Sequence, residues 1–278
     1  MSKKTDALES AVSKRAPGLA GKLSRLVEIL SKSSPAVVAF SGGADSALLA
    51  YVASAVDPKT LCATAVSETY TPGELASAEE FAREHGLRHE RVATRELKDP
   101  KFRANPRDRC YHCKKAMLEE LSGLAGEHGC KAVLYGESMS DMRDFRPGRK
   151  AMKEAGARSP LAEAGLTKED VRKLSKALGL KTWDRPSNAC LASRIEYGME
   201  LTPELLARIG EAESMLHMEG CAQVRVRVHG SLARIELGAG CKLSHRKLAA
   251  IAKRIKKLGF AHVTLDLEGY RSGSMNEA

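Results

Sequence analysis

The feature that most constrains the fold of this chain is the stretch AVVAFSGGADS at residues 36–46, which an apolar helical pattern follows. Residues 36–40 are a short apolar run of small and β-branched side chains, which predicts a buried strand. The glycines after it predict a sharp turn into a helix. A strand, a glycine turn and a helix in this order direct backbone N–H groups and the positive end of the helix dipole at one point. The sequence therefore predicts an anion-binding loop at residues 41–46.

The polar residues of this loop indicate which anion it binds. Gly42 and Gly43 leave room for a ligand against the backbone, and the hydroxyls of Ser41 and Ser46 can donate to the same oxygens. No lysine follows the glycines, so this is not the nucleotide loop that ends in Gly-Lys-Ser/Thr. Asp45 stands there instead. A carboxylate beside a phosphate needs a cation between them, so we expect Asp45 to bind Mg²⁺ on ATP. The alternative is a serine-capped glycine turn that binds nothing.

The string SGGADSA resembles the SGGxDS signature of the PP-loop ATP pyrophosphatase superfamily. This resemblance implies that the loop holds the β- and γ-phosphates of ATP while a nucleophile attacks the α-phosphorus and pyrophosphate leaves. It also implies the fold of the adenine nucleotide alpha hydrolases.

Further strand and helix patterns predict that the loop belongs to a doubly wound α/β domain with a mainly parallel sheet. The predicted strands are residues 61–66, 89–92 and 131–135, and the predicted helices are residues 18–32 and 73–85. Ligands bind beyond the carboxyl ends of parallel strands, which makes Ser67 and Gly136 candidate ATP-binding residues. Residues 141–149 are predicted to form a polar loop.

The character of the sequence changes after Gly198, where we place the boundary between a domain of residues 1–198 and a smaller α+β domain of residues 199–278. A helix over residues 167–178, capped by Thr167, is expected before this boundary. The smaller domain is expected to contain a helix, two strands, a basic helix and a last strand, at residues 203–218, 224–228, 233–237, 245–258 and 262–267.

The length of the chain and the composition of its first residues constrain the number of domains and the expected compartment. The 278 residues, of which 43% are hydrophobic, predict about two globular domains. Residues 1–34 contain no continuous apolar run, so we expect neither a signal peptide nor a membrane span, and a cytoplasmic protein. Seven cysteines in that compartment predict metal or redox chemistry rather than disulfides.

The net charge of +10 favours anionic partners, either nucleic acid or a phosphorylated small molecule with ATP. Only 4% of the residues are aromatic, and no basic segment is interleaved with aromatic side chains. A stacking platform for single strands is therefore not expected, and we do not expect nucleic acid as the partner.

Three cysteines lie in stretches dense in reactive side chains. Cys110 and Cys113 are in RCYHCK, a predicted basic loop, and Cys190 is in NACLASR, at another predicted loop. The C-x-x-C spacing alone fits zinc, a redox dithiol, an iron-sulfur cluster or a purely structural clip. Since the spacing indicates no fourth ligand, three thiolates fit a 4Fe-4S cluster with one open iron better than they fit zinc.

These pieces together resemble the LarE family, the PP-loop sulfurtransferases of nickel-pincer nucleotide synthesis. The matching stretches are SGGADSALL, RCYHCK, the RPG of DFRPGRKA, SPLAEAGLTKEDVR, WDRPSNACLASRIEYG, VRVRVHG and LDLEGYRSGSMNE. The resemblance implies that ATP adenylylates the carboxylates of pyridinium-3,5-biscarboxylic acid mononucleotide and that sulfur then displaces AMP to give thiocarboxylates. It also implies a homo-oligomer.

For the cysteines, the resemblance implies that Cys190 is required for sulfur transfer. Family members with three cysteines hold a 4Fe-4S cluster that carries an extra sulfide, so we expect Cys110, Cys113 and Cys190 to bind such a cluster. Members that lack the C-x-x-C give up the sulfur of the cysteine matching Cys190, and this sacrificial route stays open.

The alternation in residues 224–228 is informative about the substrate phosphate. In a strand, Arg225 and Arg227 point to one face while the intervening valines point to the other, and two adjacent guanidiniums suit a phosphate. The resemblance assigns these arginines to the phosphate of the mononucleotide. The alternative is a solvated strand face. Ser193 and Arg194, just after Cys190, are further candidates to bind the mononucleotide.

Two other enzyme classes use the same loop. A tRNA thiolase also combines it with cysteines and suits the positive charge, but the chain shows no recognisable RNA-binding module. An amide-forming ligase of the NAD-synthetase kind shares SGGxDS but has no use for three loop cysteines. A non-catalytic nucleotide-binding module would need neither Asp45 nor Cys190.

Overall fold

The computed structural model describes residues 3–143, 147–185, 189–271 and 273–276. The α-helices are α1 Lys3–Arg15, α2 Ala20–Ser33, α3 Ala44–Val56, α4 Pro72–Glu84, α5 Pro100–Arg103, α6 Arg109–Glu127, α7 Pro147–Glu154, α8 Pro160–Glu163, α9 Lys168–Ala177, α10 Pro203–Met218 and α11 His245–Lys257. The strands are β1 Ala36–Ala39, β2 Leu61–Val66, β3 Arg88–Ala93, β4 Ala132–Tyr135, β5 Val224–His229, β6 Leu232–Leu237 and β7 His262–Leu265.

The first sheet confirms the predicted doubly wound α/β architecture. Its four strands run in the order β3-β2-β1-β4, and every neighbouring pair is parallel. Both faces are covered, because the side chains of Val38 and Val37, adjacent on β1, belong to two different hydrophobic clusters. Val38 packs in the cluster that includes side chains of α1, α2, α3 and α9, whereas Val37 packs with side chains of α6. Strand β1 therefore lies between two layers of helices.

Two local predictions differ from the structure at the start and in the middle of this part of the chain. Helix α1 was not predicted, although Leu8 and Val12 bury its apolar side. The predicted polar loop at 141–149 is wrong at its end, where α7 begins at Pro147. Proline suits the first turn of a helix, and Ala151 and Met152 supply the buried side that stabilises it. Residues 144–146 of that prediction lie outside the described residues.

The second sheet has the order β5-β6-β7 and is mixed. The pair β5 and β6 is antiparallel, whereas β6 and β7 are parallel and α11 connects them. Helix α10 begins as predicted, with the hydroxyl of Thr202 accepting a hydrogen bond of 3.2 Å from the Leu205 amide. The predicted small α+β arrangement is therefore present.

The chain divides into two compact units whose limits differ from a single boundary at Gly198. The second unit comprises Glu68–Thr71, Leu97–Arg109 and Ala189–Ala278, and the rest of the chain forms the first unit. Hydrogen bonds that join early and late segments explain the difference. The Leu191 amide donates to the Thr69 carbonyl at 2.8 Å, and the side-chain amide of Asn105 donates to the Glu196 carbonyl at 2.9 Å. Neither pairing has a signal in local sequence.

One disulfide departs from the expectation for the cysteines. Cys221 follows α10 and Cys241 follows β6, and they are bonded with a Cα–Cα distance of 4.8 Å. The pairing of β5 with β6 brings the two positions together, which their separation of 20 residues does not indicate. Within the described ranges, no helix has the length and apolar composition that crossing a bilayer requires.

Candidate functional site

The predicted anion-binding loop connects β1 to α3 and is held closed by its two serines. The Ser46 hydroxyl donates to the Gly43 carbonyl at 3.2 Å, and the Ser41 amide donates to the Ser46 hydroxyl oxygen at 3.3 Å. Gly42 has a φ of +72°, and a Cβ there would lie 3.2 Å from the Cβ of Ala78. Glycine is therefore required at position 42 by its backbone conformation and by its neighbour.

Gly43 is the N-cap residue of α3, so the loop ends on the first turn of a helix, where N–H groups are available to an anion. Gly136, at the carboxyl end of β4, lies against the same turn. A Cβ at Gly136 would lie 2.7 Å from the Ser46 amide nitrogen. Since a side chain would collide with the backbone of the loop, Gly136 allows β4 to approach the predicted phosphate site closely.

Asp45 is part of a charged cluster that sequence reasoning did not find. Nζ of Lys168 lies 2.8 Å from Oδ2 of Asp45 and 3.2 Å from Oδ1 of Asp141. Asp141 is buried, and its other carboxylate oxygen accepts hydrogen bonds from the amide and hydroxyl of Ser138, at 2.9 and 2.7 Å. Two carboxylates from distant segments thus face one cation beside the loop.

Lys168 is placed by the start of α9. The predicted capping box is present, because the Thr167 hydroxyl accepts from the Asp170 amide and the Asp170 carboxylate accepts from the Thr167 amide. Partial burial lowers the pKa of Lys168, but its hydrogen bonds and ion pairs with Asp45 and Asp141 outweigh burial and raise the pKa above its ordinary value. Lys168 is therefore a permanent cation near neutral pH.

Ser67 lies directly after β2, at the edge of the sheet where the nucleotide is expected. Its hydroxyl donates to Oε1 of Glu96 at 2.5 Å. Glu96 follows β3 and is almost completely buried. The predicted adenosine contact at Ser67 therefore has a carboxylate beside it that sequence reasoning did not single out.

Cys110 and Cys113 lie on a helix, which corrects their predicted placement in a loop. They lie near the start of α6, as its second and fifth residues, and residues three apart on a helix share a face. Cys110 is exposed and Cys113 is half-buried. Cys62, by contrast, is buried within β2, and this burial raises the pKa of its thiol to about 12. The pair Cys110 and Cys113 belongs to the first unit.

Cys190 belongs to the second unit, next to the predicted substrate residues Ser193 and Arg194. The Ser193 hydroxyl donates to the Cys190 carbonyl at 2.7 Å, and Nη1 of Arg194 donates to the same carbonyl at 3.1 Å. Arg194 is buried and forms a two-point ion pair with Glu213 on α10. Its Nε and Nη2 lie 2.9 and 3.1 Å from the Glu213 carboxylate oxygens. The turn that carries Cys190 is thus fixed by a buried guanidinium.

The strand face of Arg225 and Arg227 is buried, so the alternative of a solvated face is wrong. Arg225 is 6% exposed and Arg227 is 5% exposed. Arg227 lies 2.9 Å from Oε2 of the fully buried Glu236, and its Nη1 donates to the Ser193 carbonyl at 3.1 Å. Arg227 therefore connects strand β5 to the turn of Cys190.

Arg225 lies two residues from Arg227 on the same strand face. Its guanidinium donates to the Val224 carbonyl at 2.7 Å and lies 5.3 Å from the centre of the Tyr270 ring. Burial, together with the positive charge of Arg194, lowers the pKa of Arg225 below its ordinary value. The positive charges of Arg194 and Arg227 both act on Arg225, so the three guanidiniums lie close together in the second unit.

Glu213 is the residue that sequence reasoning missed in this group. Its Oε1 accepts from Arg194 and, at 3.0 Å, from the Val226 amide in β5. The second unit thus brings together Cys190, Ser193, Arg194 and the two arginines of β5. In the part of the chain that the structure describes, no group of three or more His, Cys, Asp or Glu side chains is arranged to hold a metal ion.

Comparisons with known proteins identify a family and several relatives of this chain. The asparagine synthase family model matches residues 19–141, which include the loop of Ser41 to Ser46 and Asp141. An uncharacterized protein of Synechocystis sp. is 43% identical over 93% of this chain and 98% of its own. The pyridinium-3,5-bisthiocarboxylic acid mononucleotide synthase of Lactiplantibacillus plantarum is 38% identical over 93% of this chain and 95% of its own. An uncharacterized protein of Methanocaldococcus jannaschii is 30% identical over 87% of this chain and 92% of its own.

Proposed function

Because the chain belongs to the LarE family of PP-loop ATP-dependent sulfurtransferases, we propose that it converts pyridinium-3,5-biscarboxylic acid mononucleotide into the bisthiocarboxylic acid for which the L. plantarum relative is named. The observation that carries the proposal is the group in the second unit. There Arg194 donates to the carbonyl of Cys190, and Arg227 donates to the carbonyl of Ser193. A sulfur-bearing residue therefore shares a turn with Arg194, this turn is next to Arg227 on strand β5, and we propose that these cations act on the substrate phosphate.

The reaction has two steps for each carboxylate. A carboxylate oxygen of the substrate attacks the α-phosphorus of ATP, the bond to the bridging oxygen of the β-phosphate breaks, and pyrophosphate leaves. A sulfur nucleophile then attacks the acyl carbon, and AMP leaves with the electron pair of the carbon–oxygen bond. Adenylylation is needed because a carboxylate oxygen is a poor leaving group, whereas AMP is a good one.

In the first step, the loop is proposed to hold the β- and γ-phosphates. Gly42 and Gly43 present backbone N–H groups at the start of α3, and Ser41 and Ser46 contribute hydroxyls. Gly136 and Ser67 line the same edge of the sheet, where we place the rest of ATP. These residues orient the nucleotide, so that the α-phosphorus is available to the carboxylate.

The residues around Asp45 fit a magnesium ion. Mg²⁺ is commonly bound by one or two carboxylates together with substrate phosphates, and Asp45 and Asp141 face one cation position. We propose that these two carboxylates hold Mg²⁺ with ATP. The ion would neutralise phosphate charge as pyrophosphate leaves.

For the second step, we propose that Cys110, Cys113 and Cys190 bind a 4Fe-4S cluster. Thiolates are the ligands of such clusters, and Cys110 and Cys113 lie on one face of α6. When bound, the cluster would supply sulfide as the sulfur nucleophile. The alternative source is Cys190 itself: its thiolate attacks the acyl carbon, AMP leaves, and loss of the α-proton with cleavage of the Cβ–S bond gives the thiocarboxylate and dehydroalanine.

The phosphate of the mononucleotide is proposed to bind at Arg225 and Arg227, with Ser193 and Arg194 positioning the substrate. Support comes from burial, because buried arginines act on an anion with little screening by water. We further propose a cytoplasmic homo-oligomer that binds ATP and this small molecule. Light scattering on the purified protein tests the oligomeric state.

The proposed function is tested by turnover of anaerobically purified protein with ATP and the biscarboxylic acid mononucleotide. We expect AMP, pyrophosphate and the thiocarboxylate, whereas formation of ADP would overturn the assignment. Iron and sulfide should be present and should be lost in Cys113→Ser, with Cys130→Ser as the control. Iron-free protein with full activity would exclude the cluster. A polypeptide that has lost the mass of hydrogen sulfide after turnover would identify the sacrificial route.

A further inference from the structure

The predicted phosphate loop has a contact from a side chain that the sequence motif does not include. Nη1 of Arg185 donates a hydrogen bond of 2.7 Å to the carbonyl oxygen of Gly42. The two residues are 143 positions apart, and both belong to the first unit. Gly42 is the loop residue in the left-handed conformation, so Arg185 binds the loop where its backbone departs most from regular structure.

This hydrogen bond fixes the orientation of a whole peptide group. The carbonyl of Gly42 and the N–H of Gly43 belong to one planar peptide unit, and in a trans unit they point in opposite directions. A donor that holds the carbonyl therefore also directs the N–H. Among the residues that the structure describes, the Gly43 N–H has only a long contact, 3.5 Å from the Ser41 hydroxyl. The Gly43 N–H can therefore donate a hydrogen bond to a bound anion.

Arg185 is itself well anchored. It ends a turn that follows α9, in which the Trp183 amide donates to the Leu180 carbonyl at 3.3 Å and the Arg185 amide donates to the Thr182 carbonyl at 3.2 Å. Thr182 is buried, and the Lys176 ammonium lies 4.7 Å from the centre of a ring of Trp183. The guanidinium thus extends from a supported segment, and a charge-assisted hydrogen bond from such a segment is a strong constraint.

We propose that Arg185 is a positioning residue for nucleotide binding, which orients the peptide between Gly42 and Gly43 so that its N–H meets the β- and γ-phosphates of ATP. The inference rests on the proposed function only in taking ATP as the ligand of the loop. It predicts an effect confined to nucleotides that carry those phosphates. AMP lacks them, so its affinity should not depend on Arg185.

The test is calorimetric titration of the full-length protein with Mg-ATP and with AMP. We expect Arg185→Met to weaken ATP binding roughly tenfold or more, which is the loss expected for one charge-assisted hydrogen bond. AMP affinity should stay at the wild-type value. Arg185→Lys, which keeps a charged donor, should recover part of the ATP affinity. The matched control is Lys181→Met, since Lys181 is an exposed cation in the same turn and pairs with Glu84.

Equal ATP affinity in wild type and Arg185→Met would overturn the proposal, and so would an equal loss for ATP and AMP, which would indicate a general structural role. If Arg185→Met does not fold, Arg185→Gln and Arg185→Lys give the same comparison. The titration needs no sulfur chemistry. Wild-type protein that binds ATP but forms no thiocarboxylate would therefore refute the proposed function and leave the role of Arg185 intact.

Discussion

Nζ of Lys168 lies 2.8 Å from Oδ2 of Asp45, although 123 residues separate them along the chain. The same ammonium is 3.2 Å from Asp141, so it neutralises two carboxylates beside the predicted phosphate loop. These are the carboxylates to which we assign Mg²⁺. Under that proposal Lys168 would have to leave the carboxylates when the ion binds, because an ammonium group and a divalent cation cannot occupy the same position.

We predict that Lys168→Met changes how the protein responds to magnesium. Without the ammonium, Asp45 and Asp141 repel each other, which lowers the melting temperature in the absence of divalent ions. Added Mg²⁺ should relieve the repulsion and raise the melting temperature more in the variant than in wild type. Scanning calorimetry with and without Mg²⁺ measures this. The control is Lys173→Met on the same helix, which loses only an exposed pair with Glu169. Equal responses in all three proteins would contradict the prediction.

The loop itself was predictable because its signals are local. The strand before it, the two glycines and the helix after it lie in about twenty consecutive residues, and each has a direct physical cause. Lys168 and Arg185 were not predictable in the same way. Their roles depend on α9 and the turn after it lying beside the loop, and a single sequence contains no signal for that proximity.

Strand β5 of the second unit was likewise predictable only in part. Alternation placed Arg225 and Arg227 on one face, and the structure has them there, but alternation could not distinguish a solvated face from a buried one. That distinction depends on Glu213 and Glu236. These carboxylates come from α10 and β6 and supply the charge that a buried arginine requires. The turn of Cys190 adds further hydrogen bonds from elsewhere in the chain.

We predict that Gly136→Ala lowers both stability and ATP affinity. The new Cβ would lie 2.7 Å from the Ser46 amide nitrogen and 2.9 Å from the Ser46 Cα, so β4 or the loop must shift. Overpacking of this kind costs about 1–3 kcal/mol of unfolding free energy. Urea denaturation and titration with ATP measure the two effects. Gly123→Ala is the control, because a Cβ there meets nothing within 4 Å and the site is helical. It should be neutral or stabilising, and similar behaviour of both variants would disprove the packing role.

Removal of a buried charge in the second unit should be strongly destabilising. Glu236 is fully buried, and its carboxylate accepts from Arg227 and, at 2.8 Å, from the Ser274 hydroxyl. Glu236→Gln keeps the shape but leaves the Arg227 guanidinium buried without a counter-charge, which costs about 3–5 kcal/mol. The midpoint of urea unfolding is the measurement. Glu268→Gln, which breaks an exposed pair with Arg271, should change it little. A small effect at Glu236 would mean that water reaches the pair.

Stability should fall on mild acidification because two histidines in the first unit are held neutral. The His85 ring packs 4.4 Å from the Phe81 ring, and Nε2 of His89 lies 2.8 Å from the Thr64 hydroxyl. Burial lowers the pKa of both imidazoles below their ordinary value. The unfolded chain, with an ordinary pKa of about 6.5, then binds more protons than the native state. The stabilisation is complete above that pH and is lost as the pH falls below it.

The melting temperature should therefore be nearly constant from about pH 8 to pH 7 and should decrease between about pH 6.5 and pH 5. His89→Gln keeps a polar partner for Thr64 but does not titrate, so its melting temperature should depend less steeply on pH in the acidic range. His262→Gln is the control, because His262 is exposed on β7 and its replacement should leave the wild-type slope unchanged. A slope that is the same in His89→Gln and in wild type would assign the acid sensitivity to other groups.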